Sequence, residues 1–237
     1  MATALDLEEQ EQLDALKHFW NRWGSLISGL LVIALLAFAG WNGWQYWQNR
    51  QAAYASALYG SLEQAVDSGD AARIRQAFTD LKNKYGGTTY AAQGALLAGK
   101  ALLDQGQAAE SKAALTWAAD QAATPGLRAL ARLRLADVLV SEKAYDAALQ
   151  QLAWSFPPSF AALAADRRGD VLLLQGKKDQ AATEYGKAYQ GLDADSGGYQ
   201  RAVGAKLAAL GINPDAGAAA PAAQSAAPAA SAQGTTS

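Results

Sequence analysis

Between Arg22 and Arg50 the chain carries no charged side chain. The middle of that stretch, Ser25 to Trp41, reads SLISGLLVIALLAFAGW. A helix crosses the hydrocarbon core of a bilayer with about 20 mainly apolar residues, and Leu26 to Trp44 fits that length. Five of the seven tryptophans border it: Trp20 and Trp23 before, and Trp41, Trp44 and Trp47 after, with Tyr46 among them. Aromatic rings settle at the headgroup interface, so these residues read as two anchoring belts. A buried core helix rarely runs so far without charge while placing Trp at both ends. Ala37-Phe38-Ala39 has the A-x-A form of a signal-peptide cleavage site. The preceding segment, however, is long and acidic rather than short and basic, and the belt after Ala39 makes sense only if it stays in the interface. The expectation is an uncleaved transmembrane helix over residues 23–48, preceded by a polar segment, 1–22, that forms a short, weakly amphipathic helix.

Lys17 and Arg22 precede the span and Arg50 alone follows closely. The positive-inside rule then favours a cytoplasmic N-terminus and an external C-terminal domain. Ser25 and Gly29 form a small-xxx-small pair, a spacing common by chance in Ala/Gly/Leu-rich spans.

The remaining composition excludes several classes. The 237 residues include no cysteine and one histidine, His18, with a net charge of −2. Disulfides, thiolate sites, cysteine nucleophiles and His-based clusters or triads are therefore ruled out within the chain. No basic stripe marks a nucleic-acid surface. The abundant alanine favours closely packed helices over a sheet.

Past the span, short breakers recur: Ser68-Gly69, Gln105-Gly106, Glu142-Lys143 and Gln175-Gly176. Gly69 to Gly106 and Gly106 to Lys143 are each 37 residues, and Lys143 to Gly176 is 33. Seven residues before each breaker stand Leu62, Gly99, Ala136 and Gly169. Five after stand Ile74, Ser111, Ala148 and Ala181; nine after, Phe78, Leu115, Leu152 and Tyr185; twelve after, Leu81, Ala118, Ser155 and Ala188. A helix–turn–helix unit of about 34 residues is the tetratricopeptide repeat. Where helix A crosses helix B, a small residue lets the backbones approach, and a large residue one turn later fills the groove. The expected fold is all-α: a transmembrane helix, then a tetratricopeptide-like solenoid of about four hairpins over 50–212, with a final helix from Tyr199 to Leu210 as a cap. Leu62 and the Pro-rich stretch Trp154–Ser159 depart from the pattern. The tail, 213–237, is rich in Ala and Pro and is expected to be disordered.

Two tempting motifs dissolve in this frame. Gly176-Lys177-Lys178 lacks the GxxxxGK spacing of a phosphate loop and follows a helix rather than a strand. Its lysines read as solvated turn residues favouring the negative end of helix A. Arg168-Gly169-Asp170 lies within helix A, not at the exposed loop tip of an adhesion tripeptide.

Three stretches carry a family resemblance: the acidic start running into ALKHFW (15–20), the Gly-Trp…Tyr-Trp exit from the apolar span (40–47), and ADRRGDVLLLQG (165–176). Together with the order of elements, over about residues 8–210, they resemble the ancillary subunit of the bacterial Sec translocon. That resemblance implies a single-pass inner-membrane protein with its N-terminus in the cytoplasm and its repeat domain in the periplasm. It also implies association with the translocon channel and with a membrane-anchored periplasmic chaperone of prolyl-isomerase type, help to exported proteins, and a link to stress-response regulation.

Solenoids of this type bind partners on the concave face lined by A helices. By that analogy the groove-facing positions include Gln93, Lys100, Asp104, Asp137, Asp166 and Asp170. Each is equally readable as an ordinary solvated residue. A membrane-tethered hydrolase would have to draw on Asp166/Asp170, four apart on one helix, or on Asp193/Asp195 in a Gly/Ser-rich loop. Gly169 is expected to be the only inward residue of its turn, which leaves Asp166 and Asp170 on a solvated face. No catalytic residue, cofactor, metal or small-molecule substrate is therefore expected. The competing expectation is a scaffold for another envelope assembly, in cell division or secretion.

Overall fold

The computed structural model describes residues 7–192 and 196–213, and for 7–16 only the backbone. Asp193, Asp195 and the tail beyond Asn213 lie outside the described residues. The described residues fold into helices α1 (Leu7–Asp67), α2 (Ala71–Tyr85), α3 (Thr89–Asp104), α4 (Ala108–Gln121), α5 (Pro125–Ser141), α6 (Tyr145–Leu152), α7 (Pro158–Leu174), α8 (Lys178–Gln190) and α9 (Gly197–Ala209). Two compact units divide after Tyr54.

In the first unit, α1 is long and apolar enough to cross a membrane. Leu30, Leu31, Ile33, Leu36 and Phe38 are exposed around its circumference. Such a surface is costly in water and favourable in lipid. The interfacial side chains interact locally: the Trp44 and Trp47 rings lie 5.4 Å apart, and the Arg50 guanidinium sits 5.0 Å from the Tyr46 ring centre. No break falls at Arg50. QNRQAAY, residues 48–54, holds neither Gly nor Pro, so nothing stops the helix before Ser68-Gly69. The first helix A is therefore the end of α1.

The second unit is a row of hairpins: the end of α1 with α2, then α3/α4, α5/α6 and α7/α8, with α9 last. Neighbouring helices pack in chain order, and α3 with α5, and α5 with α7, also approach. That places the A helices side by side, as a solenoid requires. Each sequence breaker is the residue that turns left-handed, at φ 68° (Gly69), 76° (Gly106), 61° (Lys143) and 78° (Gly176). After Gly106, Lys143 and Gly176 the next amide bonds back five residues: Gln107 to the Leu102 carbonyl, Ala144 to that of Leu139 and Lys177 to that of Leu172. This Schellman closure satisfies carbonyls that the helix end leaves open. Lys143 bears the strain of a side chain in that conformation.

Helix B starts at once after such a turn. Gln107, Ala144 and Lys177 occupy the N-cap positions of α4, α6 and α8 without a capping side-chain bond, whereas Asp70, Thr88 and Thr124 cap α2, α3 and α5. Lys178 is thus the first residue of α8, so only Lys177 matches the expectation of a turn lysine at the close of helix A.

The helix crossings follow the sequence pattern. A methyl at Gly99 would come within 2.8 Å of Leu115, and one at Gly169 within 2.5 Å of the Tyr185 ring. Ser111 donates its hydroxyl to the Gly99 carbonyl at 2.6 Å. Leu62, the exception, is fully buried because the glycine has moved to the facing helix: a methyl at Gly94 would lie 2.6 Å from Leu81 and 3.2 Å from Leu62. The third repeat departs elsewhere. α6 ends at Leu152, so Ser155, which aligns with the buried Leu81, Ala118 and Ala188, is exposed. The 33-residue spacing is four residues shorter than the other two, about one helical turn. Pro157 and Pro158 close that gap, with Pro158 opening α7 where a missing N–H costs nothing.

Gly169→Ala should overpack this crossing and lower stability by about 1–3 kcal/mol in urea unfolding. Gly186→Ala, inside α8 with open space around the new methyl, should raise it by about 0.5–1 kcal/mol.

Candidate functional site

Counting back from each left-handed residue places the A-helix side chains in register. Six back stand Lys100, Asp137 and Asp170; two back stands Asp104, and thirteen back Gln93. Gln93, Lys100, Asp104 and Asp137 are exposed. Lys100 and Asp104 pair along α3 at 2.6 Å. These four present their side chains to solvent. The other two expected positions do not share that exposure.

Asp166 is 1% exposed, and Asp170 is half-buried. The expectation that Gly169 alone turns inward on that stretch is overturned, because Asp166 meets hydrogen-bond donors brought by α9. Asp166 accepts from the Tyr199 hydroxyl at 2.6 Å and from Lys206 Nζ at 2.7 Å. Asp170 accepts from the same Nζ at 2.6 Å and from the Tyr185 hydroxyl at 2.8 Å. Arg167 extends the chain, reaching Asp170 and Asp137 of α5, both at 3.5 Å. Charges thus alternate across α5, α7 and α9. On the other flank Arg168 bonds Glu184 at 2.6 Å and the Leu152 carbonyl at 2.9 Å, and Lys187 also bonds Glu184.

These partners set the ionisation. Burial, the hydrogen bond to Asp170 and the nearby carboxylates push the Tyr185 phenol well above its ordinary value of 10.0. Burial and Asp166 do the same to Tyr199. Both phenols therefore act as donors, not as nucleophiles. Asp137 keeps half its side chain in solvent, and partial desolvation of the rest, with Asp170 adding to it, raises its carboxyl against the opposing pull of Arg167. Burial works against the Glu184 carboxylate, but hydrogen bonds from Lys187 and Arg168 outweigh it and hold that carboxyl low. The oxygens of Asp166 and Asp170 are engaged by an ammonium and two hydroxyls, so the geometry serves cohesion rather than proton abstraction. Among the described residues no group of three or more His, Cys, Asp or Glu is placed to hold a metal ion.

Lys206, Tyr199, Tyr185 and Arg167 were not among the expected site residues. A signal for Lys206 existed. Gly211, 35 residues after Gly176, is a fifth left-handed breaker at φ 80°, so α9 is in A-helix register. Five residues before Gly106, Lys143 and Gly176 stand Ala101, Val138 and Val171, all buried, and five before Gly211 stands Lys206. Ten before stand Leu96 and Leu133, both buried, and then Asp166. A cation and an anion in apolar slots point to each other.

Stacked hairpins with small residues at each crossing and left-handed closures define a tetratricopeptide-repeat-like protein. Residues 17–212 match the family described as Tetratricopeptide repeat-like domain. Two bacterial relatives carry the description Ancillary SecYEG translocon subunit. The Neisseria gonorrhoeae protein is 33% identical over 196 residues, 82% of this chain and 94% of that one. The Escherichia coli protein is 30% identical over 179 residues, 75% of this chain and 85% of that one. The chain belongs to the family of these two ancillary subunits. A solved structure described as "Crystal structure of MamA" is similar at 18% identity and a TM-score of 0.42, over 67% of this chain and 96% of that one.

Lys206→Met should leave Asp166 buried beside an uncharged stem and cost about 3 kcal/mol at neutral pH, read by urea unfolding. Tyr199→Phe should cost about 1 kcal/mol. The folded phenols hold their protons to higher pH than unfolded ones, so their contribution is complete below pH 10.0 and is lost as pH rises beyond it. Alkaline unfolding should therefore steepen above that point, and less so in Tyr199→Phe.

Proposed function

We propose that this chain is a non-enzymatic, membrane-anchored interaction protein that serves the Sec translocon channel as an ancillary subunit. The observation that carries the reading is the 33% identity, over 82% of this chain and 94% of the relative, to a protein described as an ancillary SecYEG translocon subunit. An apolar helix able to cross a membrane and a helical-repeat domain supply the two parts such a role needs, an anchor and a docking surface.

In this reading the chain spans the bacterial inner membrane once, with its N-terminus cytoplasmic and its repeats periplasmic. Lys17 and Arg22 on one side of the span, against Arg50 on the other, support that direction. The A-helix face receives protein partners: a membrane-anchored chaperone of prolyl-isomerase type, or the exported proteins passing to it. Gln93, Lys100, Asp104 and Asp137 meet the partner, with Asp170 at the margin. Asp166, 1% exposed, takes no part in contact. A role in stress-response regulation belongs to the same reading, through whichever partner the groove holds.

The test is photocrosslinking in intact membranes, from a crosslinking amino acid at Gln93, Lys100 or Asp137, with partners identified by mass spectrometry. Channel subunits and a periplasmic chaperone should be recovered. Recovery of cell-division or secretion components without channel subunits would replace this reading with a different envelope scaffold. In the same cells, protease added to spheroplasts should digest the repeat domain. Protection of that domain would reverse the orientation. Hydrolase turnover by the purified protein, lost on Asp170→Ala, would restore an enzymatic reading.

A further inference from the structure

The last A-helix junction is built unlike the earlier ones. From α3 to α5 and from α5 to α7, buried apolar residues fill the two facing slots: Leu96 and Val138 first, then Leu133 and Val171. From α7 to α9 the same slots hold Asp166 and Lys206, 2.7 Å apart. α9 packs its apolar side, Val203 and Leu207, in one cluster with Tyr185 and Ala188 of α8 and with Ala165 and Leu172 of α7. In the slots that are apolar at the earlier junctions, it meets α7 with a long polar side chain.

We propose that this pair is a register lock that gives α9 one seat at the end of the solenoid. Apolar contact is non-directional, so an alanine-rich helix on an apolar face can slide or rotate by a residue at little cost. α9 is such a helix: it buries only Val203, Gly204 and Leu207, so apolar packing gives it few fixed points. Charge-assisted hydrogen bonds are directional and short. Lys206 bonds Asp166 and Asp170 together, two residues one helical turn apart, so its ammonium fits between them only at one height on α7. Tyr199, two turns earlier on α9, bonds Asp166 from the other side and fixes rotation. A displaced α9 would leave the Asp166 carboxylate buried and unpaired, the costliest outcome available at this junction. The lock thus trades stability for a single arrangement, as a lone polar residue does in an otherwise apolar helix interface.

The test uses the full chain in nanodiscs. Because it contains no cysteine, spin labels can be placed uniquely at Ala161→Cys and Ala205→Cys, both exposed positions on α7 and α9. The native background should give one narrow distance. Lys206→Met alone should speed amide exchange in α9 by roughly a hundredfold, the factor implied by losing a buried partner. The double variant Asp166→Leu/Lys206→Met restores the apolar junction. It should match or exceed native thermal stability, yet give a broadened or divided distance distribution. A double variant that keeps the single narrow distance would overturn the proposal. So would one no more stable than Lys206→Met, because the junction would then not be an apolar slot filled by charge.

Discussion

The repeat domain depends on one steric condition: at each hairpin the backbones of helix A and helix B must come close enough to share a side chain's width. Gly99 and Gly169 meet it by having no Cβ, and Ala136 nearly does. Leu115 and Tyr185 occupy the space released, and the crossing becomes a close-packed contact rather than a void. Leu62 departs from it at the first hairpin, and there the glycine lies on the next helix A, where Gly94 of α3 makes room for Leu62 and for Leu81 of α2. The left-handed closures complement it. They return the chain within two residues, so helix B begins at the height where helix A ended, and after Gly106, Lys143 and Gly176 it does so without a capping side chain.

Much of this architecture was legible in the sequence, because glycine and small-residue spacing carries steric information directly. The breakers at Gly69, Gly106, Lys143 and Gly176 proved to be the left-handed residues themselves. The apolar helix was equally plain from its missing charges and flanking tryptophans. The boundary at Arg50 was not, since nothing in residues 48–54 distinguishes a span's end from a helix's continuation. Ser155 falls outside the buried pattern because a periodic alignment assumes every helix B has equal length, and two prolines shortened this one.

The charged positions were the least legible. Asp166 and Asp170 looked like a solvated pair because local sequence shows only Arg167 and Arg168 beside them. Their real partners stand on α8 and α9, as Tyr185, Tyr199 and Lys206. Burial of a carboxylate is decided by what a distant helix brings, and only the fifth breaker at Gly211 revealed that such a helix was in register. The same bonds remove Asp166 from the solvent-exposed side of the A helices, leaving the exposed positions of α3 and α5.

Contacts between adjacent hairpins are short-range along the chain, the condition under which structure can accumulate progressively from one end during synthesis. The bond from Lys206 to Asp166 joins residues 40 apart, so this junction closes only when α9 is present. A nascent chain that has completed α7 and α8 still holds a carboxylate facing an apolar slot with no cation to meet it. The fourth hairpin is therefore provisional until α9 has been made, and its maturation coincides with the end of the repeats rather than with its own completion.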